Sequence, residues 1–507
     1  MEEDGLRREL NLFGAVSMIV GIVIGSGIFL GVNRVAAGAG SPWLIVAVWL
    51  IAGVLTLMGA LCYAELGVLF PKAGGEYVFL KEGLGSLPAF LSGWTAFTIN
   101  LAGSAAALGI IFAEQLNVLK PFGFGEFVLL DANWGGYELV IDGVKLTAAA
   151  LIGLLSIVNY FGVKYGGGVQ QVFTALKGVL IVFLALAALF FFGDSATAGV
   201  GFFDQAEYQY QENSGNVEDY TSFSLSAFLG TAMVAAFFAY DGWTNVVRVG
   251  SELKNPHRNI PRAMILGLGS IMVLYIMISF GYLNVLGFQG FADGQYGGFG
   301  DGSARTVASN AASVLFGGNG GKVVAAMILV SVFGALNGIT LSGPRIYYAM
   351  SRDKLFPKLF ASTTRHATPG WAILFQALLA IVFLMFFDFN QLTDNVVFIS
   401  FFFYGLAAVG LLILRRTHPD LERPYKVPFY PVLPIAYAIV AFSFVGYLLW
   451  DQFRDFDINE INRLVGLAVV AAGLPIYFVY RGRLVREREE EGGRVPAPMF
   501  GPRKDKD

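Results

Sequence analysis

The sequence predicts an all-α integral membrane protein with 12 transmembrane helices, and three observations carry that prediction. Of its 507 residues, 56% are hydrophobic and only 14% are charged, against about 25% charged in an ordinary soluble domain. The apolar residues gather in long, clean runs, most of them at or beyond the ~20 residues that cross a hydrocarbon layer as a helix. Those runs lack the ten-residue alternation of a membrane β-barrel. A large soluble enzyme would need more turns and more amphipathic helices than these runs leave room for.

The spans follow one another at approximately 13–37, 42–69, 85–116, 146–163, 168–193, 225–248, 263–287, 321–350, 369–387, 393–414, 429–450 and 463–481. Two are short, near 18 residues. Residues 1–12 are charged and of mixed sign and lead straight into span 1, so they read as a cytoplasmic segment without a signal peptide. With both termini inside, 26 of the 34 Lys and Arg fall on the cytoplasmic side, seven outside, and Lys177 within span 5. That bias predicts N-in, C-in topology in the plasma (inner) membrane. The 194–224 loop holds six acidic residues and no Lys or Arg, and reads as an external, solvated acidic loop, with attraction of a cationic solute as the other reading. The 288–320 loop is Gly-rich and reads as flexible surface. Residues 482–507 read as a short membrane-proximal helix followed by disorder.

Cys62, the single cysteine, lies inside span 2, which leaves no internal disulfide and no cysteine metal cluster. His257, His366 and His418 sit in charged loops. No cofactor, no metal and no nucleic-acid partner is expected; the expected partners are a small solute and the lipid bilayer.

Span 1 contains "GIVIGSGIF", residues 21–29, with Gly21, Gly25, Ser26 and Gly27 in mid-membrane, where Gly weakens a helix. Span 6 contains "AAFFAYDGWTNVVRVG", residues 235–250, interrupted by Asp241 and Gly242. If spans 6–10 repeat spans 1–5 in inverted orientation, the two interruptions are equivalent, and paired broken helices mark a transporter binding site. The predicted division is therefore 13–193 and 225–414 as inverted five-helix repeats, with helices 11 and 12 at 429–481. An unwound turn in lipid leaves backbone groups that must face protein, water or ligand. Half-helix N-termini suit a carboxylate and carbonyl ends suit an ammonium, the two charged ends of a free amino acid. The carboxylate is placed on Gly25, Ser26 and Gly27, and the ammonium near the carbonyls of Val23, Ile24, Phe238, Ala239 and Tyr240. The competing reading of Gly21 and Gly25 is a small-residue helix-packing face.

Three charges lie in apolar surroundings, where a charge costs a few kcal/mol and so needs a role. Asp241 is read first as a cap on the second half of span 6, with contact to an ammonium or proton carriage as the alternatives. Lys177 is read as bonding to backbone carbonyls of span 1 and span 8 in the position of a coupling cation, against simple snorkelling. Glu65, at the end of span 2, is read as pairing with Arg or Lys in an inner gate. Phe238 is the candidate lid over the solute, while Tyr240 and Trp243 either cover it or pack. The spans show no repeated polar stripe for a channel and no nucleophile–base or metal-ligand cluster for an enzyme.

The chain resembles the amino acid–polyamine–organocation transporters, and among them bacterial members of the L-type amino acid transporter family. The likeness rests on "GIVIGSGIF", "YAELGVLFPKAGGEYVFL" (63–80), "FFAYDGW" (237–243), "SELKNPHRNIPRA" (251–263), "NGITLSGPRIYYAMSRDKLFPKLF" (337–360), "TPGWA" (368–372) and "RPYKVPFYPVLP" (423–434). It implies two inverted five-helix repeats plus helices 11 and 12, with substrate between helices 1 and 6. It also implies sodium-independent transport, usually by exchange. It assigns the carboxylate to Gly25, Ser26 and Gly27, the closing aromatic to Phe238, and the sodium-replacing lysine to Lys177. Asp241 stands where animal members often have glycine, which leaves side-chain specificity open. Animal members join a single-span glycoprotein through a cysteine between helices 3 and 4; residues 117–145 hold none, so no disulfide-linked heavy-chain partner is expected. The expected function is a sodium-independent exchanger of neutral L-amino acids. The alternatives are a proton-coupled symporter and a carrier of cationic amino acids or polyamines.

Overall fold

The computed structural model describes residues 8–119, 127–134, 137–190, 208–211, 217–220, 224–292, 306–386, 389–454 and 462–490. Each of the twelve predicted spans falls on helix. Among the described residues, nine helical stretches are long and apolar enough to cross a membrane, and Leu12–Val23, Ala227–Tyr240 and Gly370–Phe386 are shorter apolar helices. These three are the first half of span 1, the first half of span 6, and span 9.

Span 2 occupies Pro42–Leu69, with proline in its first turn, where a missing N–H costs nothing. Span 3 runs over Ser86–Leu119 and is π-helical at Ala96–Asn100, a distortion that often accompanies functional sites. Span 4 is Gly143–Tyr160, three residues earlier than predicted, because the Asp142 side chain accepts from Lys145 N at 2.8 Å and fixes the start. Span 5 is Val163–Leu189 and span 7 lies within Pro256–Ala292. Span 8 is Gly320–Ser342, continued after Gly343 by Pro344–Arg352. Spans 10, 11 and 12 are Phe389–Thr417, Val432–Arg454 and Asn462–Glu490.

The connections hold more structure than predicted. Glu76–Leu84 forms a helix after span 2. Val128–Trp134 pairs antiparallel with Tyr137–Asp142, and Tyr208–Gln211 with Val217–Tyr220. The 288–320 segment, predicted as a flexible loop, contains the helix Val307–Phe316, capped where Thr306 Oγ1 accepts from Ser309 N at 3.0 Å. Its Gly-rich part at 293–305 lies outside the described residues. So do 1–7, 491–507 and most of the acidic 194–224 loop.

One end of the bundle is tied by buried ion pairs. Glu65 is fully buried and accepts from Arg415 Nε at 2.8 Å, Arg415 Nη2 at 2.5 Å and Val427 N at 2.7 Å. Arg248 Nη2 reaches Glu76 at 2.8 Å. Arg345 reaches both oxygens of Glu252, at 2.8 and 3.2 Å, and neither side chain is exposed. Lys81 and Asp353, both partly exposed, add a pair at 2.6 Å. Backbone bonds run beside them: Leu10 N to Glu252 O, Lys254 N to Leu10 O, and Gly74 N to Arg248 O. Gly74 and Gly75 make the turn there at φ of 103° and 48°, a conformation open to glycine. At the opposite end Arg34 meets Asp394 at 3.2 Å in a pair about one fifth exposed.

Removing one member of a buried pair leaves a dry, uncompensated charge, at a cost of about 3–5 kcal/mol, whereas removing both costs much less. Arg345→Met alone should therefore lower the thermal unfolding midpoint in detergent clearly more than Arg345→Met with Glu252→Gln. Equal midpoints for the two variants would show that the pair does not hold this end together.

Candidate functional site

Span 1 stops at Val23. Ile24 takes φ −75°, ψ 74°, outside the helical region, and Gly25 N turns back to Val23 O at 2.8 Å. Helix resumes at Gly27 and, with a turn at Gly31, runs to Ala39. Span 6 stops at Tyr240. Asp241 is extended, at φ −68°, ψ 158°, and Gly242 stands at φ 105°. A side chain there would be strained, and its Cβ would lie 2.6 Å from Ile22 Cγ2 of span 1. Helix resumes at Asn245–Arg248. The two breaks face each other: a Cβ on Gly27 would sit 2.6 Å from the Cα of Ala239.

A small cavity lies at this crossing. Of the predicted residues, Val23, Gly25, Ser26, Gly27, Phe238 and Asp241 line it. Ile24, Ala239 and Tyr240 do not, for identifiable reasons. The Ile24 carbonyl points at Lys177 and Ser331, accepting from them at 2.8 and 2.7 Å. Ala239 backs onto Gly27, and its carbonyl accepts from Tyr275 Oη at 2.8 Å. Tyr240 Oη donates to Trp49 O at 3.1 Å. Trp243 is buried beside the break, edge-on to Tyr63 at 4.9 Å and tilted against Tyr404 at 5.1 Å, so it packs and does not cover the cavity. Glu65 lies away from the cavity, in the ion-pair knot described above.

Lys177 is buried in span 5. Its Nζ donates to Gly21 O at 2.7 Å, Ile24 O at 2.8 Å and Ser331 O at 2.7 Å. One ammonium thus uses its three donors on carbonyls of spans 1 and 8. Asp241 differs from its predicted capping role. The residue at the start of Asn245–Arg248 is Thr244, which makes no side-chain cap bond. The Asp241 carboxylate accepts from Tyr404 Oη of span 10 at 2.7 Å and from the backbone of Gly242 next to it, while Asn245 Nδ2 takes the Gly242 carbonyl at 2.7 Å.

The cavity also has walls that the sequence reading missed. Asn100, Ser104 and Leu108 come from span 3, Asn245 and Arg248 from the second half of span 6, and Ile339 from span 8. Asn100, Ser104 and Leu108 are spaced four apart, one face of a helix, and the first two are polar in an otherwise apolar run. That pattern was the available signal. Asn100 Nδ2 donates to Ser400 Oγ of span 10 at 2.8 Å, which sets its orientation. Among the described residues no group of three or more His, Cys, Asp or Glu is placed to hold a metal ion.

Residues 10–456 match the family model for amino acid permeases. The chain belongs to the amino acid permease family. The permease is 32% identical over 487 residues to the serine/threonine exchanger SteT of Bacillus subtilis, covering 95% of this chain and 99% of the relative. It is 31% identical over 441 residues to the human b(0,+)-type amino acid transporter 1, covering 86% and 81%. It is 30% identical over 480 residues to the human large neutral amino acids transporter small subunit 2, covering 94% and 80%. The permease is a multi-pass membrane transporter of amino acids, of a family whose members are carriers and not enzymes.

The contact between the two breaks sets a steric test. Gly27→Ala should reduce amino acid binding to purified protein more than tenfold, because its Cβ must push the two breaks apart. Gly25→Ala, whose Cβ meets its nearest neighbours at 3.4 to 3.7 Å, should reduce it far less. Equal losses would show that the Gly27–Ala239 approach does not shape the site.

Proposed function

We propose that the permease is a sodium-independent exchanger of neutral L-amino acids working by alternating access in the plasma membrane, with both termini cytoplasmic. The observation that carries the proposal is Lys177. Its ammonium bridges Gly21, Ile24 and Ser331 carbonyls across spans 1 and 8. A fixed cation there does the electrostatic work that a bound sodium ion would do, and leaves no call for a diffusible one. The names of the relatives, among them an exchanger, support exchange. The substrate carboxylate sits at the Gly25–Gly27 turn on the N–H groups of Ser26 and Gly27, at the start of the resumed helix; the Gly25 N–H is already spent on Val23 O. The ammonium faces Asp241, which lines the cavity, because the Val23 carbonyl is already taken by Gly25 N and Tyr275 Oη, and Phe238 closes over the solute.

The repeat division at 13–193 and 225–414 belongs to the same proposal, as does a carrier that works without a disulfide-linked partner. Its only cysteine is buried in span 2. A second reading has one observation in its favour. Asp241 lines the cavity and makes no ion pair among the described residues, which would suit a cationic side chain.

Proteoliposomes test these readings. Uptake of labelled L-alanine should require internal amino acid and stay unchanged when external sodium is replaced by choline. Uptake into empty vesicles that follows a pH gradient would replace exchange with proton symport, and stronger competition by arginine or lysine than by leucine would favour the second reading. Lys177→Met should lower the exchange rate more than tenfold while leaving the protein monodisperse in detergent. Normal exchange by that variant would remove the basis for sodium independence.

A further inference from the structure

Arg248 has no part in the cycle proposed above, yet it lines the same cavity at the far end of span 6. Its side chain is almost fully buried, at 3% exposure. Nη1 donates to Asn245 Oδ1 at 2.9 Å and Nη2 to Glu76 Oε1 at 2.8 Å. The third edge, the Nε–H, has no acceptor. Buried polar groups normally find partners, and an unmet donor on a charged group is costly. On another wall of the cavity Ser26 Oγ, also buried, is likewise without a partner. Two unmet polar groups in one cavity point to an occupant with oxygen atoms for both.

The guanidinium is held rigidly. Asn245, which it binds, is itself fixed by the Gly242 carbonyl and by Ser342 Oγ, and the Arg248 carbonyl accepts from Gly74 N at 3.1 Å. A donor that cannot reorient discriminates well, because a ligand lacking the matching acceptor leaves it unpaired. Glu76 offsets the positive charge, so the free N–H reads an acceptor more than it attracts an anion, while a cationic side chain brings only donors.

We propose that Arg248 determines side-chain specificity: its Nε–H donates to an oxygen on the substrate's side chain. The permease then prefers neutral amino acids bearing a hydroxyl or carboxamide over their aliphatic isosteres. This rests on the reading of the cavity as the amino acid site.

The test is competition against labelled L-alanine uptake in proteoliposomes, using the near-isosteric pairs threonine with valine and asparagine with leucine. One hydrogen bond to a charged donor is worth about tenfold, so wild type should prefer the oxygen-bearing member of each pair by about that factor. Arg248→Met with Glu76→Gln removes the ion pair as a unit and should reduce the preference to within about twofold. Glu76→Gln alone keeps the donor and should keep the preference. Arg248→Lys, which retains the charge but not the Nε–H, should lose it and serves if the double variant does not fold. Equal inhibition within the pairs in wild type would overturn the proposal, as would a preference that survives in Arg248→Lys or one that vanishes in Glu76→Gln alone. Absence of alanine uptake by wild type would overturn the site reading itself, a result distinct from uptake without discrimination.

Discussion

The structure depends on one constraint: a helix broken inside hydrocarbon must find partners for the backbone groups it frees, each of which would otherwise cost several kcal/mol. The break in span 1 frees carbonyls at Gly21, Val23, Ile24 and Gly25. Lys177 takes Gly21 and Ile24, Ser331 Oγ lies 2.7 and 3.0 Å from Ile24 and Gly25, and Tyr275 Oη lies 3.1 Å from Val23. Tyr275 also reaches the Ala239 carbonyl in span 6. Spans 5, 7 and 8 therefore hold the broken ends of spans 1 and 6 in register. Burying an ammonium is itself expensive, but three charge-assisted bonds at 2.7 to 2.8 Å offset much of that cost. The carbonyls satisfied in this way are no longer open to the cavity, although Val23 and Gly25 themselves still border it.

That distribution explains what the sequence could and could not disclose. The breaks were legible because glycine clusters and a lone aspartate are out of place in a span, and the twelve helices were legible because hydrocarbon demands long apolar runs. The direction of a carbonyl is not written in the sequence. Val23, Ile24 and Ala239 look equivalent as sequence neighbours of the gaps, yet the carbonyls of all three turn toward Lys177 or Tyr275, and Val23 alone of the three still borders the cavity. Asp241 shows the same limit from the side-chain side. A cap was the cheapest local use for it, but Tyr404, 163 residues away in sequence, supplies the bond. Asn100 and Ser104 carried a faint signal in their spacing, and Arg248 carried one in its charge. Neither could be assigned to the cavity before the helices were placed.

The ion pairs bear on how such a cavity changes sides. The buried pairs Arg248–Glu76, Arg345–Glu252 and Arg415–Glu65 join residues of spans 2 and 6 and the turns after them to span 8, span 10 and the Glu76–Leu84 helix. All three use arginine, whose planar fork can bond a carboxylate and a second acceptor together; Arg248 adds Asn245, and Arg345 adds the Leu341 carbonyl. A buried pair contributes little net stability against an apolar substitute, yet it is expensive to separate while dry. In the proposed cycle, opening at this end must therefore admit water as the charges part, and hydration becomes part of the gate. A substrate shifts such an equilibrium only by the difference in its affinity for the two states. Arg248 is where that difference can arise, because one guanidinium borders the cavity and also carries the Glu76 pair. Any occupant that draws on Arg248 acts on the closure beneath it.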